Sequence, residues 1–155
     1  MKEKEEIYEQ EIYFKLDDFT CDPTTITQLL NIQPYKAWNK GDMISTQRKR
    51  IEGGYKVVDG KSKINKKYSS WWLGRFIFQM GEEIDNTINE LLDLMLSKQD
   101  TLQLIYQKYK AEPQITLVSY YNIANFEAFL TSKVIEKINR LGASFHIDIY
   151  HLADD

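Results

Sequence analysis

Alternating apolar and polar residues mark the first regular segment of the chain. In the stretch IYEQEIYFKLDDF, Ile12, Phe14 and Leu16 are two residues apart and therefore share one face of an extended strand. The opposite face of that strand carries Glu11, Tyr13 and Lys15. The pattern predicts a strand that leads the sheet.

The next segment predicts a short helix. Asp22 is typical of an N-cap, and Pro23 is typical of the first helical residue. Apolar residues then follow at the spacing i, i+3, i+4, which is the pattern of one buried helix face. Asn31 and Pro34 end this helix.

Three further helices are predicted in the second half of the chain. The longest has apolar residues at helical spacing from Ile84 to Leu96, and Glu82 and Glu83 give it an acidic first turn. The second of these helices starts with Asp100 as its N-cap and is stopped by Glu112-Pro113. The third starts at Thr131 or Ser132 and ends at Gly142.

Strands are predicted between and around these helices. The segment YSSWWLGRFIF closes a region of short strands and turns, and QITLVSYY and SFHIDIYHL are typical of two more strands. This order predicts a single α+β domain over residues 1–155, with a mixed or largely antiparallel sheet and helices packed mainly on one face. A ferredoxin-like-related arrangement is compatible with the same order.

Charge is distributed unevenly along the chain. The net charge is only -3, yet residues 36–75 contain eleven Lys or Arg against three Asp or Glu, a local charge of about +8. The charged N-terminus lacks the apolar run of a secretory signal, so we expect a cytoplasmic protein without a membrane segment. Cys21 is the only cysteine, which excludes an intrachain disulfide and a cysteine-based zinc cage.

The first candidate surface combines aromatic and cationic residues of the basic region. Trp71 and Trp72 are adjacent in a predicted strand, so one should fill the core while the other is either covered as a second core residue or exposed. We expect Tyr35 and Trp38 to hold their loop onto the body while Lys36 and Lys40 stay in solvent. The candidate contact residues are Trp38, Lys40, Trp72 and Arg75.

The second candidate surface lies on the last predicted strand. His146, Asp148 and Tyr150 are two residues apart there and therefore share one face of the strand. An imidazole, a carboxylate and a phenol in a row resemble the acid and base groups of an active site. The simpler interpretation is the solvated face of a strand whose other face is core. Because phosphate-binding loops, nucleophile elbows and metal-ligand patterns are absent, we expect no enzymatic activity, no cofactor and no metal.

Three segments in order resemble the bacterial domain of unknown function 4279 family: DPTTITQLLNIQPYKAWNKGD, SSWWLG and LGASFHIDIY. The resemblance covers nearly the whole chain and implies a compact α+β domain without an established activity. Some relatives look like members of toxin and immunity neighbourhoods, so the resemblance implies protein inhibition as a candidate role. The matching residues are Ile26, Thr27, Leu29, Pro34, the pair Lys40-Gly41, one of Trp71 or Trp72, Leu141, Gly142, Asp148 and Tyr150.

These observations favour a non-enzymatic protein-binding domain, with a toxin inhibitor of the immunity type as its specific form. One alternative is nucleic-acid binding through the basic aromatic segment 36–75, in which rings stack on bases and cations contact phosphates. Another is a small-ligand binder or enzyme that uses His146, Asp148 and Tyr150. A homodimer is compatible with each of these hypotheses.

Overall fold

The computed structural model describes residues 8–60, 63–78, 84–122 and 128–152. Within these ranges the chain forms strands and helices in the following order: β1 (Tyr8–Asp17), α1 (Pro23–Leu30), β2 (Lys36–Trp38), β3 (Met43–Ser45), β4 (Arg48–Ile51), β5 (Gly54–Val57), β6 (Lys63–Asn65), β7 (Ser70–Ile77), α2 (Ile84–Leu96), α3 (Gln99–Tyr109), β8 (Glu112–Tyr121), α4 (Ser132–Arg140) and β9 (Ser144–His151).

Five strands form the main sheet in the order β2-β7-β1-β8-β9. β8 and β9 run parallel and are connected through α4, whereas the other neighbours are antiparallel. The α+β class and the mixed sheet are therefore confirmed. Four strands have the ferredoxin-like arrangement of two split βαβ units, since β7 lies between β1 and β2 while β1 lies between β7 and β8, and all of these neighbours are antiparallel. β9 extends this sheet as a fifth strand parallel to β8.

The helices pack on one face of this sheet, as predicted. Ile12, Phe14 and Leu16 of β1 are fully buried there, together with Trp71 of β7. Apolar residues of all four helices complete the core from above: Ile26, Leu30, Ile88, Leu91, Leu92, Met95, Leu102, Ile105, Val134 and Ile138. Burial of this apolar surface is the main stabilising contribution to the fold.

Helix ends follow the sequence signals in two cases. The Asp22 side chain accepts a hydrogen bond from the Thr24 backbone N–H at the start of α1, and Asn31 ends that helix in the left-handed conformation. Thr131 caps α4 by accepting from the Val134 backbone N–H. Gly142 follows α4 with a φ of +67°, a conformation that favours glycine.

The predicted cap of α3 is wrong. Helix α3 begins at Gln99, Lys98 occupies the N-cap position without a side-chain hydrogen bond, and Asp100 lies inside the first turn. The helix starts earlier because α2 leads into it through only Ser97 and Lys98. Glu112-Pro113 belongs to β8, since α3 has already ended at Lys110, and Glu82 and Glu83 lie outside the described residues.

Two small hairpins, β3 with β6 and β4 with β5, are built from the basic region. The β4–β5 hairpin lies over the sheet surface opposite the helices, where the Arg48 side chain contacts Glu11 of β1 and the Tyr55 ring contacts Phe76. Its tight turn requires Gly53, whose φ is +76°. No helix in the described part of the chain combines the length and the apolar character needed to cross a bilayer.

Candidate functional site

The sheet surface opposite the helices, called the second face below, carries the candidate site. Strand register places Lys36 of β2 beside Trp72 of β7, and Trp72 beside Lys15 of β1. Residues directly opposite each other on neighbouring strands point to the same side of a sheet. A tryptophan is therefore flanked by a lysine on each side.

Both lysines contact the indole ring of Trp72. The Lys15 Nζ atom lies 3.7 Å from the ring centroid and the Lys36 Nζ atom 3.9 Å from it. The Trp38 ring is 5.5 Å from the Trp72 ring, centroid to centroid, and has the Lys66 Nζ atom 4.3 Å from its own centroid. We call these five residues the lysine–tryptophan cluster. Cation–π attraction stabilises each of these ammonium groups.

Burial works against the charges of the cluster. The Lys15 side chain is 9% exposed, and this burial lowers its pKa, with the charges of Asp17 and Asp148 acting in the opposite direction. The pKa of Lys36 is lowered to about 8, mainly by burial and in addition by the neighbouring charges of Lys66 and Lys15. Desolvation disfavours the charged form of a lysine. An anion bound beside these lysines would therefore stabilise their ammonium groups.

No cluster lysine forms an ion pair within the described ranges, where the ion pairs are Arg48 with Glu11, Arg50 with Glu9, Lys63 with Asp59 and Lys137 with Asp93. The carboxylate of Asp17, which lies on the same face, accepts a hydrogen bond from the Ser70 hydroxyl instead. Among the described residues the cluster lysines therefore have no direct ion pair, and the charges of Asp17 and Asp148 offset that of Lys15 only from a longer distance.

The arginines of the second face are paired internally. Arg48 binds Glu11, whose other carboxylate oxygen accepts a hydrogen bond of 2.6 Å from the Tyr13 hydroxyl. Arg50 lies 3.2 Å from a carboxylate oxygen of Glu9. These pairs tie the β4–β5 hairpin to β1, so these arginines have a structural role that the cluster lysines do not share.

A pocket of about 350 Å³ opens beside Lys36, between β2 and the small hairpins. Its lining includes Tyr35, Lys36, Ile44, Val57 and Asp59. The pocket gives a ligand group access to the edge of the cluster from solvent. Among the described residues, no three His, Cys, Asp or Glu side chains are grouped in a way that would hold a metal ion.

His146, Asp148 and Tyr150 lie on this same second face. Register places His146 beside Thr116 of β8, and Thr116 beside Tyr13 of β1. The Tyr150 ring stacks on Tyr120 with 5.0 Å between centroids, and all three β9 side chains are exposed. The sheet thus brings the two candidate surfaces onto one face, with Asp148 close enough to influence the pKa of Lys15.

Arg75 does not join this surface. It lies opposite Ile12 in the register and therefore on the helix-covered face, where its guanidinium donates a 2.8 Å hydrogen bond to the Gly74 carbonyl. The cause is the two-residue period of β7, which places Trp71 and Arg75 on one side and Trp72 on the other. The prediction that these residues form one contact surface is wrong for Arg75.

The remaining predicted contact residues have different environments. Trp38 is 2% exposed, and its indole N–H donates to the Tyr68 carbonyl over 2.9 Å. It is therefore a buried neighbour of the Trp72 ring and is not exposed for contact with a partner. Lys40 is exposed in the loop between β2 and β3, as expected. Lys36 was expected in solvent, but it is half-buried, with its ammonium group 3.9 Å from the Trp72 ring centroid.

Sequence reasoning missed Lys15 and Lys66 as site residues. The alternation in β1 already assigns Lys15 to the face away from the core, yet nothing local indicates which strand lies beside it. The pairing of Lys15 with Trp72 joins residues far apart in the chain and depends on the strand register.

The comparisons with known proteins agree with this architecture. A family model described as a domain of unknown function (DUF4279) matches residues 5–152. Neither the curated proteins nor the solved structures that were compared include a match to the chain. The matched segment contains every strand and helix described above, and the chain belongs to the DUF4279 family, as its sequence motifs indicated.

Proposed function

We propose that this protein is a non-enzymatic binding protein whose second face receives an acidic region of a partner protein. The observation that carries the proposal is the lysine–tryptophan cluster, in which Lys15 and Lys36 are desolvated and form no ion pair among the described residues. An immunity-type inhibitor that covers the active surface of a toxin is the specific form that we propose.

The energetics favour completion of the site by a partner carboxylate. A desolvated ammonium ion destabilises the free protein, and an incoming carboxylate converts that penalty into a charge-assisted hydrogen bond. The exposed Lys40 and Lys49 add positive charge to the basic region and would attract an acidic partner over a longer range. Affinity would then depend on the buried lysines and the association rate on the exposed ones.

The two alternative functions draw less support from this geometry. Base stacking needs a free ring face, but both lysines already contact the Trp72 ring and Trp38 is buried. Arg48 of the basic segment is engaged by the buried Glu11, and Arg50 pairs with Glu9, which reduces the cations that are free to contact phosphates. For an active site on β9, the exposure of His146 and Asp148 provides little shielding from water.

The test is affinity capture from lysate of the source cells, with and without nuclease treatment, with three forms of the protein. The wild type and a Lys133→Met control, altered on exposed α4, should retain the same stoichiometric protein partner. The double variant Lys15→Met, Lys36→Met should lose it, since methionine keeps the apolar stem but removes the charge. Binding of the purified partner should then weaken at least tenfold by calorimetry.

Three results would contradict the proposal. These are capture of nucleic acid alone, a partner retained equally by the double variant, or no partner that depends on the two lysines. If the captured partner is a toxin, an equimolar amount of the wild type should block its activity and the double variant should not. A toxin that stays active in the complex would remove the immunity role while leaving the binding role in place.

A further inference from the structure

Among the described residues, strand β9 forms an edge of the main sheet with no strand paired to its outer side. It is the last strand in the order, spans eight residues and contains no proline. The other edge, β2, has only three residues. Proteins commonly protect long edges with lysine, proline, bulges or covering segments, because unpaired backbone groups there can bind another strand. In the described part of the chain, no strand pairs with the outer side of β9.

The side chains of β9 are complementary to a second copy of β9. If two copies run antiparallel with Ile147 opposite Ile147, then His146 of each copy lies opposite Asp148 of the other on the second face. On the helix-covered face, Phe145 lies opposite Ile149. One register therefore gives two imidazole–carboxylate pairs and a continuous row of apolar contacts.

Neighbouring symmetric registers are less favourable. Centring the pair on Asp148 places two carboxylates directly opposite each other, which is destabilising. Centring it on Ile149 places Ile147 opposite His151, so an apolar side chain loses its apolar partner. Centring it on His146 leaves Asp148 opposite Ser144 and places the two imidazoles together. The order of residues along β9 thus selects the register centred on Ile147.

Exposed apolar area supports the same occupant. Ile147 is 48% exposed and Ile149 is 51% exposed, although they point toward the side of the sheet that the helices cover. Pairing of the two copies would cover both residues without any rearrangement of β9. We propose that a second copy of this chain adds its β9 antiparallel to β9, with Ile147 on the two-fold axis.

This dimer has a consequence for the candidate site. A two-fold axis perpendicular to the sheet keeps the second faces of both copies on the same side. The two lysine–tryptophan clusters would therefore face the same direction on one continuous sheet. A partner with two acidic regions would then be bound with avidity. The dimer itself does not depend on the proposed function, because it uses β9 and no cluster residue.

The test is the oligomeric state of the purified full chain by analytical ultracentrifugation over a concentration series. The wild type should show a monomer–dimer equilibrium. Ile147→Lys should weaken dimerisation at least tenfold, because two ammonium groups would meet at the axis. Leu104→Lys is the matched control, since Leu104 is 47% exposed on α3, and it should dimerise like the wild type.

A complementation experiment tests the register. His146→Asp places carboxylates opposite Asp148 of the other copy, and Asp148→Lys places ammonium groups opposite His146, so each variant alone should be at least tenfold weaker as a dimer. Mixed together, they should form a heterodimer, because Asp at position 146 then faces Lys at position 148. A wild type that stays monomeric over the whole concentration series would overturn the proposal. So would a mixture of the two variants that stays monomeric.

Discussion

The two faces of the same sheet follow different physical rules. On the helix-covered face, apolar residues of β1, β7 and β8 are closed off by four helices, and the buried indole N–H of Trp71 donates to the Thr27 hydroxyl over 3.0 Å. On the second face, Trp72 lies between two lysines that have no carboxylate partner among the described residues. The helix-covered face thus buries mainly apolar side chains, whereas the second face buries lysines without a direct ion pair within the described ranges.

This difference separates stability from recognition. Substitutions on the helix-covered face should change the free energy of unfolding and leave binding intact. Substitutions in the lysine–tryptophan cluster should change binding more than stability, or even raise stability. Retention of desolvated charge that lowers stability is a property of functional sites.

Replacing each of the adjacent tryptophans with alanine gives the largest expected contrast. Trp71 is fully buried in the core, so Trp71→Ala should lower the free energy of unfolding by about 3–5 kcal/mol. Trp72 is half-buried and packs against lysine side chains, so Trp72→Ala should lower it by about 1–2 kcal/mol. Urea denaturation measures both values. Equal losses would mean that Trp72 is a second core residue.

Arginine substitutions compare two ion pairs that fasten the β4–β5 hairpin. Arg48→Met leaves Glu11, whose side chain is 3% exposed, without its cationic partner, and should lower the free energy of unfolding by about 3 kcal/mol. Arg50→Met removes a pair whose arginine is 57% exposed and should lower it by less than about 1 kcal/mol. Chemical denaturation of the two variants side by side is the measurement. The reverse order would show that Arg48 does not hold the hairpin.

Lys36→Met should stabilise the protein while weakening partner binding. At pH 7 removal of the desolvated charge should raise the free energy of unfolding by about 1–3 kcal/mol. The native pKa of about 8 lies below the usual 10.5, so between these values the unfolded chain binds more protons than the native protein. Wild-type stability should therefore rise across that pH window.

The pH dependence supplies the control for this prediction. The advantage of Lys36→Met should be complete below pH 8 and should shrink as the pH rises toward 10.5. Lys133→Met, on the exposed side of α4, should show no such convergence with the wild type. A variant that is less stable than the wild type at pH 7 would mean that contacts of the Lys36 ammonium outweigh its desolvation.

Local sequence rules predict the helix-covered face well. Period two assigned Ile12, Phe14 and Leu16 to the core, and the capping residues Asp22 and Thr131 mark real helix starts. These features depend on neighbours within a few positions of the chain, where propensity and spacing are informative. The cap at Asp100 failed because the short connection between α2 and α3 determines where that helix begins.

The second face was predicted only in pieces. His146, Asp148 and Tyr150 were correctly placed together on one face of their strand, but their position on the same sheet face as Trp72 depends on the strand order. The burial of Lys36 depends on its pairing with Trp72 and on hairpins that cover the sheet. Such contacts join distant parts of the chain, and a strand pattern contains no information about which strands are neighbours.

The smallest predicted effect tests whether the two faces are independent. Thr131 caps α4 through the Val134 N–H, and its hydroxyl donates to Asp85 of α2 over 2.9 Å, both on the helix-covered side. Thr131→Ala should lower the free energy of unfolding by about 1 kcal/mol, and Thr131→Ser should restore most of it because serine keeps the hydroxyl. Thermal denaturation measures the loss, and calorimetry should show unchanged affinity for the partner. Weaker binding by folded Thr131→Ala protein would mean that α4 transmits its position through β9 to the second face, and the separation of stability from recognition would fail.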